Sequence, residues 1–161
     1  MGNHIAPPPE EVEKLLDDAI EYYKGDVVTF IIDAIARFHL EFETIHPFND
    51  GNGRIGRVLI NFLLMKAGLP TIIIRDKEKQ KYYKTFSLYR INQSSNALAK
   101  IFHLCLFESL HKRITYLKGQ KIITLAEYIK SNDLKANSVT NAARRQSIPA
   151  FREKGVWKIG V

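Results

Sequence analysis

The sequence predicts a mainly α protein: a helical bundle over residues 1–119, followed by a small winged unit over residues 120–161. Three observations predict it. Apolar residues recur at helical spacing through long segments before Gly119. Glycines and prolines punctuate those segments at intervals that suit ordinary helices. After Gly119 the pattern changes to two short helical stretches and two short apolar runs flanking Lys154-Gly155.

Pro7-Pro8-Pro9 with Glu10-Glu11 reads as a helix entry, because proline is tolerated in the first turn and carboxylates suit the positive helix end. Val12, Leu15, Leu16, Ala19 and Ile20 then recur up to Tyr23, and Lys24-Gly25 is expected to end the helix. Asp26 is the expected cap of a second helix, Val27–Ile45, whose stripe is Val28, Ile31, Ile32, Ile35, Phe38, Phe42 and Ile45. Pro47 disfavours α geometry at His46, so that helix should stop there. A third helix from about Arg54 to Ala67 is apolar nearly all round and is expected to be central and buried. Gly68 and Pro70 terminate it, and Thr71–Ile74 reads as an extended connector. Helices follow at about Lys79–Arg90 and Asn96–Lys118. In the tail, helices are expected at Thr124–Ser131 and Ser138–Arg145, and strands at Ile148–Phe151 and Val156–Ile159.

Composition narrows the function classes. With 161 residues, 45% hydrophobic and 25% charged, the chain is an ordinary globular protein. Nine Phe and seven Tyr exclude intrinsic disorder. The most apolar runs, Val58–Met65 and Ile101–Phe107, are far short of the ~20 residues that span a bilayer, so no membrane partner is expected. No signal peptide is evident and the single cysteine, Cys105, cannot form an internal disulfide, so a cytoplasmic location is expected. The net charge of +7 is uneven: residues 121–161 hold 8 basic and 3 acidic side chains. The tail is thus the part that would seek a polyanion, the alternative being a solvated basic face.

The loop before the third helix carries the chemistry. Asp50-Gly51-Asn52-Gly53 leads straight into a helix N-terminus, where unpaired N–H groups and the helix dipole form an anion site. Arg54 and Arg57 lie three apart in the first turn, hence on one face. Cations there cost about 0.3–1 kcal/mol each, which makes sense if a polyanion binds. The alternative, ion pairs with Glu41 or Glu43, leaves both glycines unexplained. His46 and Asp50 flank the site: histidine is the usual general base, and a carboxylate beside a phosphate cradle is the usual way to hold Mg²⁺. Phe48 is expected to anchor the loop in the core. His39, His103 and His111 read as ordinary helical residues. Gly51-Asn52-Gly53-Arg54-Ile55-Gly56 formally matches a dinucleotide-binding fingerprint, with Asp76 some distance on, but a helix rather than a strand precedes it.

The stretch His46-Pro47-Phe48-Asn49-Asp50-Gly51-Asn52-Gly53-Arg54-Ile55-Gly56-Arg57 resembles the signature of the Fic family, H-x-F-x-[DE]-G-N-G-R-x-x-R, at every specified position. The resemblance extends over roughly residues 3–118, including Ala6–Val12 and Tyr82-Tyr83. It implies a Fic-type helical core that transfers AMP from ATP to a hydroxyl side chain of a target protein. His46 would be the base, and Asp50 would hold Mg²⁺ on the phosphates. Gly51, Asn52 and Gly53 would line the anion hole, with Gly56 in the same nucleotide-binding loop. Arg54 and Arg57 would clamp the phosphates and Tyr82 would lie beside the adenine. Asn92 is the nearest match to an asparagine the family often places there, although the spacing around Arg90–Ser95 departs by a residue or two.

Two departures stand out. No Ser or Thr has Glu four residues on, so the inhibitory [ST]-x-x-x-E-[GN] pattern of the family is missing. The chain also starts about where the family's target-aligning flap would end. Residues 1–119 are therefore expected to be a core lacking flap and inhibitory helix, or one inhibited by a separate protein. The tail, through Leu125–Tyr128, Ser138–Thr140, Arg144-Arg145, Ile148–Arg152 and Trp157–Ile159, resembles an excisionase-type winged helix-turn-helix unit. That resemblance implies DNA binding with Arg144, Arg145 and Arg152 on phosphates; the alternative is a packing module, including one that forms a homodimer. Rival activities are a Fic-type phosphotransferase, against which Gly53 argues, removal of AMP, which needs the missing glutamate, and a DNA-binding regulator on a Fic scaffold.

Overall fold

The structure, a computed structural model, describes residues 5–26 and 30–161. Two compact units divide the chain, Met1–His103 and Leu104–Val161, and one long helix runs from the first into the second.

The first unit begins with α1 (Pro9–Asp26), its first turn carrying Glu10 and Glu11 as the dipole favours. Helical backbone continues through Lys24-Gly25, the expected stop, to Asp26; the expected start of the next helix at Val27 lies outside the described residues. α2 (Ile31–Ile45) buries Ile32, Ala34, Ile35, Ala36, Leu40, Phe42 and Ile45, and packs against α1, α3 and α4. It ends where Pro47 requires, with His46 in the left-handed region (φ 54°) and its N–H bonded to the Phe42 carbonyl.

α3 (Asn52–Lys66) is not the buried central helix that its composition predicts. It buries one stripe four residues apart, Asn52, Gly56, Ile60 and Leu64, which is a single i+4 ridge. On its other side Val58, Phe62 and Met65 are more than half exposed. The central place goes to α2, because three helices pack around it. An extended segment leads from α3 into α4 (Asp76–Asn92). There Asn61 pairs with Ile72 as a neighbouring strand would, its Oδ1 accepting from the Ile72 N–H (2.8 Å) and its Nδ2 donating to the Ile72 carbonyl (3.2 Å). α5 (Asn96–Leu117) follows, burying Leu98, Ala99 and Phe102 before it enters the second unit.

In the second unit, β1 (Ile122–Thr124) precedes α6 (Leu125–Ser131) and α7 (Ala136–Arg144), then β2 (Ala150–Glu153) and β3 (Val156–Gly160). The sheet is antiparallel in the order β1-β3-β2, with Ile123 opposite Ile159 and Arg152 opposite Trp157. Lys154 and Gly155 both have positive φ, the two-residue hairpin turn whose twist matches its strands. β1 was not expected from sequence, being three residues long and directly followed by the helix that Thr124 caps through Glu127. Leu125, Ala143, Ala150 and Ile159 form the core, with Tyr128, Val139, Ile148 and Trp157 packed on it.

Candidate active site

The loop between α2 and α3 is closed by Asn52. Its buried carboxamide accepts from the Phe48 N–H (3.0 Å) and donates to the Phe48 carbonyl. Phe48, expected in the core, is instead 47% exposed with its ring 6.4 Å from that of Phe42. Buried amide groups must be paired, and here one side chain pairs with both backbone groups of Phe48, so the loop needs no apolar anchor. Gly51 starts the turn at φ 87°, a conformation costly for a residue with a Cβ, and its carbonyl receives the N–H groups of Arg54 and Ile55, both at 2.9 Å. The amides of Asn52 and Gly53 precede Arg54, the first N–H to find an acceptor at the helix start, and form the positive end of α3.

His46 and Asp50 are exposed at the two ends of this turn. Asp50 accepts from Arg54 Nη2 at 2.9 Å, a pair so open to water that it contributes at most about 1 kcal/mol. Arg57, one turn on, lines a cleft of about 270 Å³ with Ile60, Asn61 and Ile72–Ile74. Thus Asp50, Gly51, Gly53 and Arg54 sit at the N-terminal end of α3, with Arg57 on the next turn and His46 at the C-terminal end of α2.

Behind the loop lies a buried polar cluster that sequence reading passed over. His39, expected to be an ordinary helical residue, is 1% exposed, and its Nε2 shares a 2.5 Å hydrogen bond with the Tyr82 hydroxyl. Glu43, one turn along α2, is also buried and lies 3.7 Å from the same nitrogen. Gly56 permits this approach: a Cβ there would stand 2.7 Å from His39 Cε1 and 2.8 Å from Glu43 Oε1. Gly56 is thus a contact between helices, not a lining of the loop. Burial, then the nearby Arg57 charge, lowers the His39 pKa to about 3, so the ring is neutral. Burial raises the Glu43 carboxyl, opposed by Arg57 and Arg90. The available signal was position: His39 and Glu43 are four apart and continue the buried side of α2 from Ile32 and Ala36.

Tyr82, expected beside an adenine, has its ring in the core, 1% exposed, with Phe86 at 4.8 Å and His39 at 5.7 Å. Its neighbour Tyr83 is the exposed one. Asn92 is exposed at the end of α4 and accepts from the Ser94 N–H. In the second unit Arg144 and Arg145 are exposed at the end of α7. Arg152, expected on DNA phosphates, is instead bound to the buried Glu108 through Nη2 (2.8 Å) and Nε (3.1 Å), with its guanidinium over the Trp157 ring. That carboxylate satisfies the guanidinium inside the unit. Among the described residues no three His, Cys, Asp or Glu side chains gather into a metal-binding group, and no helix is long and apolar enough to cross a membrane.

Comparison with known proteins agrees with the loop. Residues 1–64 match the model of the Fic/DOC family. The chain is 37% identical over 86 residues to "Protein adenylyltransferase Fic" of Nematostella vectensis, covering 52% of this chain and 20% of that one. It is 38% identical over 73 residues to "Probable protein adenylyltransferase aq_aa38" of Aquifex aeolicus, covering 45% of this chain and 23% of the other. The chain thus spans about a fifth of the length of the curated relatives it matches. A crystal structure of a Fic domain containing signaling protein from Bacteroides thetaiotaomicron superposes with a TM-score of 0.64 at 27% identity, covering 72% of this chain and 49% of that one.

Proposed function

We propose that this chain, whose residues 1–64 match the model of the Fic/DOC family, carries the catalytic core of a protein adenylyltransferase, moving AMP from ATP to a Tyr, Thr or Ser hydroxyl of a target protein. The observation that carries this is the loop itself: an exposed histidine at the end of α2, and an anion-binding turn at the start of α3.

The triphosphate docks on the free amides of Asn52 and Gly53 and on Arg54 and Arg57, where dipole and cations act together. Arg54 exchanges its weak, exposed bond to Asp50 for phosphate at little cost. His46 accepts the proton of the incoming hydroxyl as its oxygen bonds to the α-phosphorus. The bond from that phosphorus to the β-phosphate bridging oxygen breaks, and pyrophosphate leaves. Positioning and charge stabilisation supply most of the acceleration, the base a further ~10²–10⁴-fold.

Asp50 fits Mg²⁺. It is one exposed carboxylate beside the phosphate cradle, and this ion takes one or two carboxylates together with substrate phosphates. Bound there, Mg²⁺ would neutralise charge on the phosphates. Cys105, buried and the single cysteine of the chain, suits a reducing compartment such as the cytoplasm.

Mass spectrometry of the chain incubated with Mg-ATP tests this reading: a mass increase of one AMP on itself or an added protein supports it, and addition of phosphate alone overturns it. A second activity, DNA binding by residues 120–161, is favoured by the exposed Arg144 and Arg145 next to the exposed Asn137, Ser138 and Asn141 of α7. An affinity for duplex DNA that falls steeply with salt, and that Arg144→Ala with Arg145→Ala weakens, tests it.

A further inference from the structure

We propose that the outward face of α3 is a pairing surface for a second copy of this chain, the two helices lying antiparallel and meeting through Ile55, Val58, Phe62 and Met65. This goes beyond the transfer reaction and does not depend on it.

The face is defined by what α3 buries. Asn52, Gly56, Ile60 and Leu64 form the ridge turned inward. At about 3.6 residues per turn, Ile55, Val58, Phe62 and Met65 fall on the opposite side of the helix. They are 36%, 67%, 53% and 57% exposed. Arg54 and Lys66 bracket them, and no other residue of α3 is exposed. A helix at a protein surface ordinarily turns charged and polar residues outward, whereas this one turns an apolar row outward along its length. The spacing of three, four and three residues is that of the a and d positions of a seam that packs against another helix.

Charge and shape select the occupant. The seam carries no charge, so an acidic or basic partner would bury a charge against it unpaired, whereas a second copy presents the same uncharged row. In an antiparallel pair centred between Val58 and Phe62, Val58 meets Phe62 of the second copy and Ile55 meets Met65, each shorter side chain opposite a longer one. Arg54 and Lys66 of the second copy then come to opposite flanks of the seam, and the two helix dipoles oppose each other. A parallel pair would set Phe62 on Phe62, Val58 on Val58 and Arg54 beside Arg54. With the antiparallel arrangement the two anion-binding turns lie at opposite ends of the seam, about 20 Å apart for a helix of 15 residues.

Size sets the strength. Four side chains exposed to this degree leave roughly 400 Å² of apolar surface on each copy, the scale of a functional patch on a monomer. The pair would bury roughly 800 Å² of it, and with the polar rim would reach the ~1,000–1,200 Å² of the smaller specific interfaces, which corresponds to micromolar rather than tighter association.

Sedimentation equilibrium of the full chain over about 1–500 µM tests this, a range that brackets micromolar affinity. The average mass should rise with concentration toward that of two chains. Phe62→Asp should weaken pairing by at least ~100-fold, because two like charges would meet an apolar seam at its centre. Circular dichroism should show the variant folded; if it does not fold, Met65→Asp at the end of the seam serves instead. Orientation is read from cysteine cross-linking, in which the buried Cys105 is shielded. When Val58→Cys and Phe62→Cys chains are mixed and oxidised, the disulfide should join one variant to the other. Cross-links of each variant chiefly to itself would mean a parallel pair and overturn the proposal. A wild-type chain that stays monomeric throughout overturns it as well, and so does a dimer that a folded Phe62→Asp chain forms equally well.

Discussion

Glu108 on α5 and Arg152 on β2, 44 residues apart in sequence, meet as a buried, two-pronged ion pair, and the Arg152 backbone N–H also donates to Glu108 Oε1 at 3.0 Å. One carboxylate thus holds both the side chain and the backbone of a strand. It ties the hairpin to the part of α5 that lies in its own unit, and it removes Arg152 from any nucleic-acid surface.

Glu108→Ala is therefore predicted to destabilise the second unit by ~3–5 kcal/mol, because it strands a buried guanidinium. Amide hydrogen exchange should show lost protection in β2 and β3. Unchanged protection there would mean that the Trp157 contact and backbone pairing suffice.

Gly56→Ala places a methyl group 2.7 Å from His39 Cε1 and 2.8 Å from Glu43 Oε1. Helix propensity alone favours alanine by ~0.8–1 kcal/mol. The clash should reverse that sign and cost ~1–3 kcal/mol, since α2 and α3 must separate. A urea titration of the variant decides it, and a more stable variant would refute the close approach.

His46→Ala should leave Mg-ATP affinity within a few-fold of wild type while slowing transfer by roughly 10²–10⁴-fold. The side chain lies at the end of α2, before the anion-binding turn, and is not part of it. Transfer near the wild-type rate would remove it from the mechanism.

Stability should fall on acidification through the buried His39. Its folded pKa of about 3 is below the ordinary 6.5. The unfolded chain therefore takes up a proton that the folded chain refuses, and this contribution, fully present above pH ~6.5, declines by up to ~1.4 kcal/mol per pH unit toward pH 3. Glu43, raised by burial, works in the opposite direction as pH rises. In His39→Gln the stability should vary less between pH 6 and 4 than in wild type. An identical slope in the two proteins would show that other groups govern the acid transition.

The sequence by itself determined the elements whose cause is local. Pro47 stops α2 at His46, Gly51 supplies the left-handed entry to α3, and Lys154-Gly155 turns the hairpin. Each depends on a residue or two and their own dihedral preferences, so the motif loop and the mainly α class could be read without partners. Tertiary structure alone decided which side of α3 is covered, because a helix apolar nearly all round matches any neighbour and only one ridge found one. It also decided that Asn52, not Phe48, closes the loop. His39 meets Tyr82 across 43 residues and Arg152 meets Glu108 across 44. Helical spacing describes one helix at a time, whereas those partners are chosen by which faces the packed chain brings together, and by the cost of leaving a buried polar group unpaired.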